Sequence, residues 1–290
     1  MRDRKGSLSL NHLQDKALLQ FLADSRYVSH AQLFRFAQLD FFEHNRPTFN
    51  WRIRRMVDGG LVRKQAPPLL NGDALYSITR AGLQALERLG VYYLGATVDR
   101  EQDAYRYQVP HALEVNNIRL TLSVHHQLVR WVPETFIRVL NMSPATRYAK
   151  VYDGIATVVT YDTLVDFVVE YERTLKSAAK YEKIRAAIES EKRVKAFLYL
   201  VPNYDLLHGI RDALWGMKQL VLFGLVEDFK RDRLNTAVRD SRHQESSLQD
   251  ALARLLPAKT RTEANSQDHF RLFGKSASAA CRDTLGVPAA

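Results

Sequence analysis

The sequence predicts a mixed chain of the α+β and α/β classes in two folded parts, and three observations carry that prediction. Residues 1–95 show apolar side chains at helical spacing, interrupted by two short extended runs. Beyond residue 110, helical stretches alternate with longer extended runs that are rich in Val, Ile, Tyr and Phe. Hydrophobic residues make up 46% of 290 residues, enough to bury a core in each part.

In the first part, Leu13, Ala17, Leu18 and Phe21 predict a helix over about 11–24. Ser29 suits the N-cap of a second helix that turns Leu33, Phe34 and Ala37 inward. Pro47 fits the first turn of a third helix, where a missing N–H costs nothing. Phe49, Ile53, Met56 and Val57 form its apolar stripe, and Gly59-Gly60 ends it. Two extended runs follow, 61–64 and 74–78, separated by a segment whose Asn71-Gly72 predicts a turn. Thr79 opens a fourth helix. Three helices, a hairpin and a further helix is the order of a winged helix-turn-helix, and "RRMVDGGLVRK" followed by "LYSITRAGLQAL" resembles winged-helix proteins.

Helical period then places Thr48, Trp51, Arg54 and Arg55 opposite the apolar stripe, with Arg52 on the flank. Such a face can enter the major groove, where arginine donates two bonds to a guanine edge. Arg63 and Lys64 on the wing would meet backbone phosphates. The competing readings are a solvated helix face and a winged helix that grips protein.

Residues 96–110 are polar and Tyr-rich, and read as a linker. Over 111–232 the pattern predicts a helix to about His126, extended runs at 131–140, 154–160 and 164–171, a helix at 177–189, a buried strand at 194–201, and a helix from Asp205 to about Lys230. Tyr161-Asp162 would turn the second run into the third. Residues 233–290 read as a basic, partly flexible tail with one short helix near 248–256.

This αβββαβ order resembles the restriction-endonuclease-like, or PD-(D/E)XK nuclease, fold. The resemblance implies a metal-binding role for Asp153 in "YDGI", for Glu170 near the end of the third strand, and for Glu114 on the first helix as an accessory acid. Such acids would hold Mg2+ or Mn2+ and activate water against a phosphodiester. The family pattern asks for lysine two residues after the second acid, and this chain has Glu172. Lys176 or Lys180 would have to substitute. The alternative is structural: Asp153 shapes a turn, while Glu170 and Glu172 pair with Arg173, Lys176 or Lys180. Glu170 and Glu172 share one strand face and repel unless a cation lies between them.

A winged helix followed by such a domain is similar to the replication-relaxation family of plasmid and mobile-element proteins. The matching text is "RRMVDGGLVRK…YSITRAG", "HALEVNNIRLTL", "YDGI" and "VEYERTLKSAAKYEKI", over about residues 10–225. The resemblance implies a DNA-binding regulator of replication, transfer or transcription, with no commitment to a reaction.

Charge agrees with a polyanionic partner. The formal net charge is +10, of which residues 1–95 carry +6, residues 96–232 carry +1 and residues 233–290 carry +3. The single cysteine, Cys281, excludes a disulfide framework and reads as incidental. No apolar run reaches about 18 residues and no apolar stretch follows the basic start, so a cytoplasmic, nucleoid- or plasmid-associated chain without membrane contact is expected. Three functions remain open: a regulator of duplex DNA, expected as a homodimer on paired half-sites; a metal-dependent nuclease or nickase; and an interaction module of a replication or conjugation complex. Trp131 and Trp215 are expected in the core.

Overall fold

The computed structural model describes residues 10–41, 43–65, 73–93 and 105–256, with side chains in the last segment from residue 108. In the first unit, α1 (Gln14–Ser25) starts where Asn11 Oδ1 accepts from the Leu13 and Gln14 N–H groups at 2.9 and 3.0 Å. β1 (Val28–Ser29) leads into α2 (His30–Phe41). Ser29 caps it as expected: its Oγ accepts from the Gln32 N–H at 3.2 Å, and Gln32 Oε1 accepts from the Ser29 N–H at 3.3 Å. This reciprocal pair satisfies two N–H groups that a helix start leaves free. Asn45 caps α3 (Arg46–Asp58) with Pro47 in its first turn, and Gly60 at φ +70° lets the chain leave.

β2 (Val62–Gln65), β3 (Leu75–Ile78) and α4 (Arg80–Arg88) complete the unit. β3 lies between β1 and β2, antiparallel to both. The two-residue β1 is too short to leave a sequence signal. The Asn71-Gly72 turn falls outside the described residues. Thr79 Oγ1 accepts from the Gly82 N–H at 3.1 Å and donates to the Gly60 carbonyl at 2.6 Å. A Cβ on Gly82 would stand 2.3 Å from the Leu61 carbonyl oxygen, so this close approach requires glycine.

Leu18, Leu22, Leu33, Phe49, Ile53 and Met56 pack the core between these helices. Inside it lies one wholly buried carboxylate, Asp15. Arg52 Nη1 meets it at 2.7 Å, and the Arg55 guanidinium pairs with its other oxygen. Arg52 also donates to Gln14. Arg52, expected on the flank of the DNA face, is therefore an internal residue; a neighbouring buried acid drew it inward, which helical period alone does not show.

The second part begins with α5 (Tyr105–Ser123), which starts inside the stretch read as a linker and continues through Pro110. β4 (Leu128–Pro133) follows, then α6 (Glu134–Leu140). The run 131–140, read as one strand, thus breaks at Pro133: proline has no N–H for the ladder, and Glu134 then favours a helix start. β5 (Gly154–Thr160) and β6 (Thr163–Tyr171) form the expected hairpin, with Tyr161 and Asp162 at φ 45° and 61°. α7 (Ala178–Ser190) and the fully buried β7 (Ala196–Val201) also match expectation.

The stretch read as one helix to Lys230 is instead α8 (Tyr204–Ala213), β8 (Leu220–Leu225) and α9 (Val226–Asp232). A six-residue apolar run has no period that separates a buried strand from a helix. The domain does not end at 232 either. β9 (Ala237–Asp240), β10 (Glu245–Ser247) and α10 (Leu248–Ala253) extend it into the expected tail.

The seven strands run in the order β10-β9-β8-β7-β6-β5-β4, with β6, β7 and β8 parallel and the other pairs antiparallel. α6, α7 and α8 cover one face through Ile137, Ile184 and Ile210. α5, α9 and α10 cover the other through Ile118, Phe229 and Leu252. Trp131 packs at the edge of this second core, whereas Trp215, expected inside, is half exposed against His243. No helix among the described residues is long and apolar enough to cross a membrane.

α5 joins the two parts, because its Leu120 belongs to the first core and its Ile118 and Leu122 to the second. Gln32 Nε2 donates to the Leu113 carbonyl at 2.6 Å and to Asn117 Oδ1 at 2.7 Å. Asn116 Nδ2 donates to the Tyr27 carbonyl at 2.8 Å, and Arg119 pairs with Asp24 at 3.1 Å.

Removing the buried acid strands two guanidiniums. Asp15→Ala is expected to cost about 3–5 kcal/mol, read as a lower urea midpoint. Arg54→Ala, on the exposed side of the same helix, is expected to move stability by under about 0.5 kcal/mol. Equal stabilities for the two variants would show that Asp15 does not organise α3.

Candidate functional site

Two places gather the candidate residues. The first is the outer side of α3 with β2. Because Arg52 and Arg55 point to Asp15, Thr48, Trp51 and Arg54 are left exposed. Trp51 is 57% exposed, and the Arg55 guanidinium lies over its ring at 5.0 Å. Arg55 is thus shared between an internal ion pair and this face. Arg63 and Lys64 are exposed on β2, opposite Ser77 and Tyr76 of β3. Asn50, which carries no signal of its own in the sequence, is exposed on the same helix, and its Oδ1 accepts from His30 Nε2 at 2.9 Å. Burial holds the His30 ring below the usual histidine range.

The second is a cleft of ≈ 510 Å³ between the two parts, lined by Asp153, Glu170, Glu172, Lys176, His111 and the turn 24–27. The sheet brings these together: Asp153 stands at the start of β5, while Glu170 and Glu172 stand at the end of the adjacent β6. Asp153 Oδ2 accepts from the Tyr171 N–H at 2.8 Å, and Oδ1 meets His111 Nε2 at 3.0 Å. Burial works to raise the Asp153 carboxyl, but the hydrogen bond and charge of His111 outweigh it and hold it below its ordinary value. Burial likewise works to lower His111, and Asp153 reverses this, so the imidazole titrates above its usual range.

Glu170 pairs with Lys150 at 2.7 Å, yet burial pushes its carboxyl up to about 7. Glu172 pairs with Lys176, whose ammonium is lowered by burial. Glu170 sits beside Tyr199 of β7, a buried residue whose hydroxyl has no hydrogen-bond partner among the described residues. Burial first, then the nearby Glu170, raises that phenol far above its ordinary value.

The expected metal set is not assembled. Glu114 pairs with Lys230 of α9 at 2.9 Å and does not line the cleft; His111, one turn earlier on α5, takes the place beside Asp153. Both Asp153 oxygens already accept a hydrogen bond, and Lys150 holds Glu170. Among the described residues no group of three or more His, Cys, Asp or Glu side chains is placed to hold a metal. The donors as arranged do not fit resident Mg2+ or Mn2+, because protein cations and N–H groups occupy the oxygens such an ion needs. Of the substitute lysines, Lys176 reaches Glu172, while Lys180 is exposed. Lys150 was missed, although its place three residues before Asp153 is a usable signal. His111 has no signal in the sequence, because its partner Asp153 lies 42 residues further along the chain.

Glu170 makes a signed pH prediction. Its folded pKa of about 7 lies above its unfolded value of 4.5, so between those values the folded state holds more of the proton. Stability therefore falls as pH rises through this window, by about 3 kcal/mol for this group. The stability difference between wild type and Glu170→Gln, followed by urea unfolding from pH 4.5 to 7.5, should shift by that order in favour of the variant. A pH-independent difference would show that Glu170 ionises normally.

No family model matches the chain, and no curated protein matches it. Among solved structures, a likeness is found to restriction endonuclease FokI bound to DNA, at 11% identity and a TM-score of 0.24. It covers 74% of this chain and 43% of that one, so this chain spans less than half the length of the structure it is similar to.

Proposed function

We propose that the chain is a duplex DNA-binding protein whose first unit works as a winged helix and whose second part is a nuclease-like α/β domain that binds without cutting. The observation that carries this is the division of the α3 arginines. Two are committed to Asp15 in the interior, and this fixes Thr48, Trp51 and Arg54 outward beside Arg63 and Lys64 of the hairpin. A rigid helix presenting one free guanidinium and an aromatic, flanked by strand cations, has the groups a major-groove reader needs. The resemblance of the sequence to the replication-relaxation family supports reading that binding as control of replication, transfer or transcription on a mobile element. A homodimer would read paired half-sites.

The second reading, a nuclease, is favoured by one observation: Asp153, Glu170 and Lys176 line a single cleft. Against it stands the occupation of the acid oxygens by His111, Tyr171 N–H and Lys150.

Random-oligonucleotide selection should return a sequence motif. On that motif, Arg54→Ala should cost about 1–3 kcal/mol and relax preference at one position. Arg63→Ala or Lys64→Ala should weaken all sequences alike and lower the salt slope by about 1 each. Wild type that fails to retard duplex at ~0.15 M salt would sink the DNA reading in favour of a protein-interaction module. With Mg2+ or Mn2+, supercoiled plasmid should stay intact; nicking that is lost in both Asp153→Asn and Glu170→Gln would establish the nuclease instead.

A further inference from the structure

The positive charge does not stop at α3. Lys64 and Arg46 both bear electrostatically on the His30 ring, which contacts Asn50 of α3. His30 is the first residue of α2, and one turn further along that helix Ala31 and Arg35 are exposed. These two line a cleft of ≈ 440 Å³ between α2, α5 and α9, whose other walls include Gln32, Asn117, Thr121, Lys230 and Arg233. Cations thus flank the N-terminal half of α2 on two sides, Arg46 and Lys64 on one and Arg35, Lys230 and Arg233 on the other, with the Asp73 carboxylate at the Ala31 N–H (3.4 Å) between them.

Within that cleft the cations differ in commitment. Lys230 is held by Glu114 at 2.9 Å and Glu227 at 2.6 Å. Arg35 and Arg233 make no ion pair among the described residues. The walls offer amide and hydroxyl groups but no free carboxylate, because Glu114 is spent on Lys230. Gln32 itself is fixed by bonds to Leu113 and Asn117, so the wall between the guanidiniums is rigid.

Arg233 adds an independent sign. Its backbone sits at φ 55°, ψ −123°, a region that belongs to glycine and costs an L-residue about 1–3 kcal/mol. The stability of this turn would be better served by glycine. The residue at this strained position is nonetheless an arginine, and it lines the cleft.

We propose that this cleft takes a backbone phosphate of the same DNA duplex, outside the half-site read by α3, with Arg35 and Arg233 as the paired guanidinium ligands. The inference rests on the DNA reading above and adds a second anchoring point to it. A phosphodiester fits because guanidinium matches its two free oxygens, and because α2, which carries Arg35, is joined to α3 through His30 and Asn50, next to the strand bound there. The contact carries no sequence information; it fixes the orientation of the unit on the duplex.

The test compares wild type, Arg35→Ala and Arg233→Gly on the selected motif, in a short duplex of ~12 base pairs and a long one of ~24, by fluorescence anisotropy across a salt series. Loss of one phosphate contact should weaken the long duplex by ~5-fold at 0.15 M salt and reduce the slope of log K against log salt by ~0.9 per variant. The short duplex should be unaffected, and the preference for the motif over a scrambled duplex should not change. Arg233→Gly should melt no lower than wild type, which separates lost binding from lost fold. Wild type that binds while both variants match it on the long duplex overturns the phosphate site and leaves the α3 reading standing. Equal losses on both lengths overturn its placement outside the half-site. Wild type that binds neither duplex overturns the DNA reading and the inference together.

Discussion

The arrangement of the first unit depends on one buried carboxylate. Asp15 sits on α1 with no solvent exposure and meets two guanidiniums from α3. A lone buried carboxylate is costly, and so are two buried arginines; together they balance only in one orientation of the two helices. That orientation turns Arg52 and Arg55 toward Asp15 and leaves Trp51 and Arg54, each one residue earlier and so about 100° round the helix, outward. The net charge of +6 over residues 1–95 therefore overstates what a partner meets, because part of it is spent inside the core. What remains for a polyanion is narrower and better aimed: Arg54 on the helix, and Arg63 and Lys64 on the neighbouring strand.

α5 carries that orientation into the second part. It supplies Leu120 to one core and Leu122 to the other, and Asn116 and Asn117 hold the turn and helix of the first unit by hydrogen bonds. Its His111 also anchors Asp153. One helix thus connects the first unit with the acidic cleft, and the turn 24–27 of the first unit forms a wall of that cleft. A shift of the first unit on this helix would change the cleft directly, with no longer pathway required.

Legibility in the sequence followed the length scale of each signal. The β5–β6 hairpin was readable because two extended runs rich in Val, Ile and Thr flank Tyr161-Asp162, which closes the turn. The ends of α3 were readable because Pro47 and Gly60 act locally. β8 was not, since Leu220–Leu225 is apolar throughout and period fails for buried runs. β9 and β10 escaped because Ala-Val-Arg-Asp and Glu-Ser-Ser have no apolar alternation; they are strands only because β8 offers an edge. At the site, Asp153, Glu170 and Glu172 were legible as a cluster because adjacent antiparallel strands must place 153 near 170. Arg52, Glu114 and Lys150 were not, because each is decided by a partner far away in sequence: Asp15, Lys230 and Glu170.

The acids of the cleft are balanced locally by cations. Asp153, Glu170 and Glu172 face His111, Lys150 and Lys176, each acid with its own cationic partner. When all six groups are ionised, three negative and three positive charges cancel. A phosphodiester approaching such a cleft meets little net repulsion. It also meets no pair of free carboxylate oxygens that could share a divalent ion. No lysine stands on β6 itself; Lys176 reaches in from the loop before α7 and Lys150 from the loop before β5. Both ammoniums are spent on neutralising the acids. Glu170 alone is poised to break the balance, because it titrates at about 7, and its protonation would leave Lys150 without an anionic partner. The cleft would then turn net positive at slightly acidic pH, which strengthens its attraction for an anion and gives it still less capacity to hold a metal.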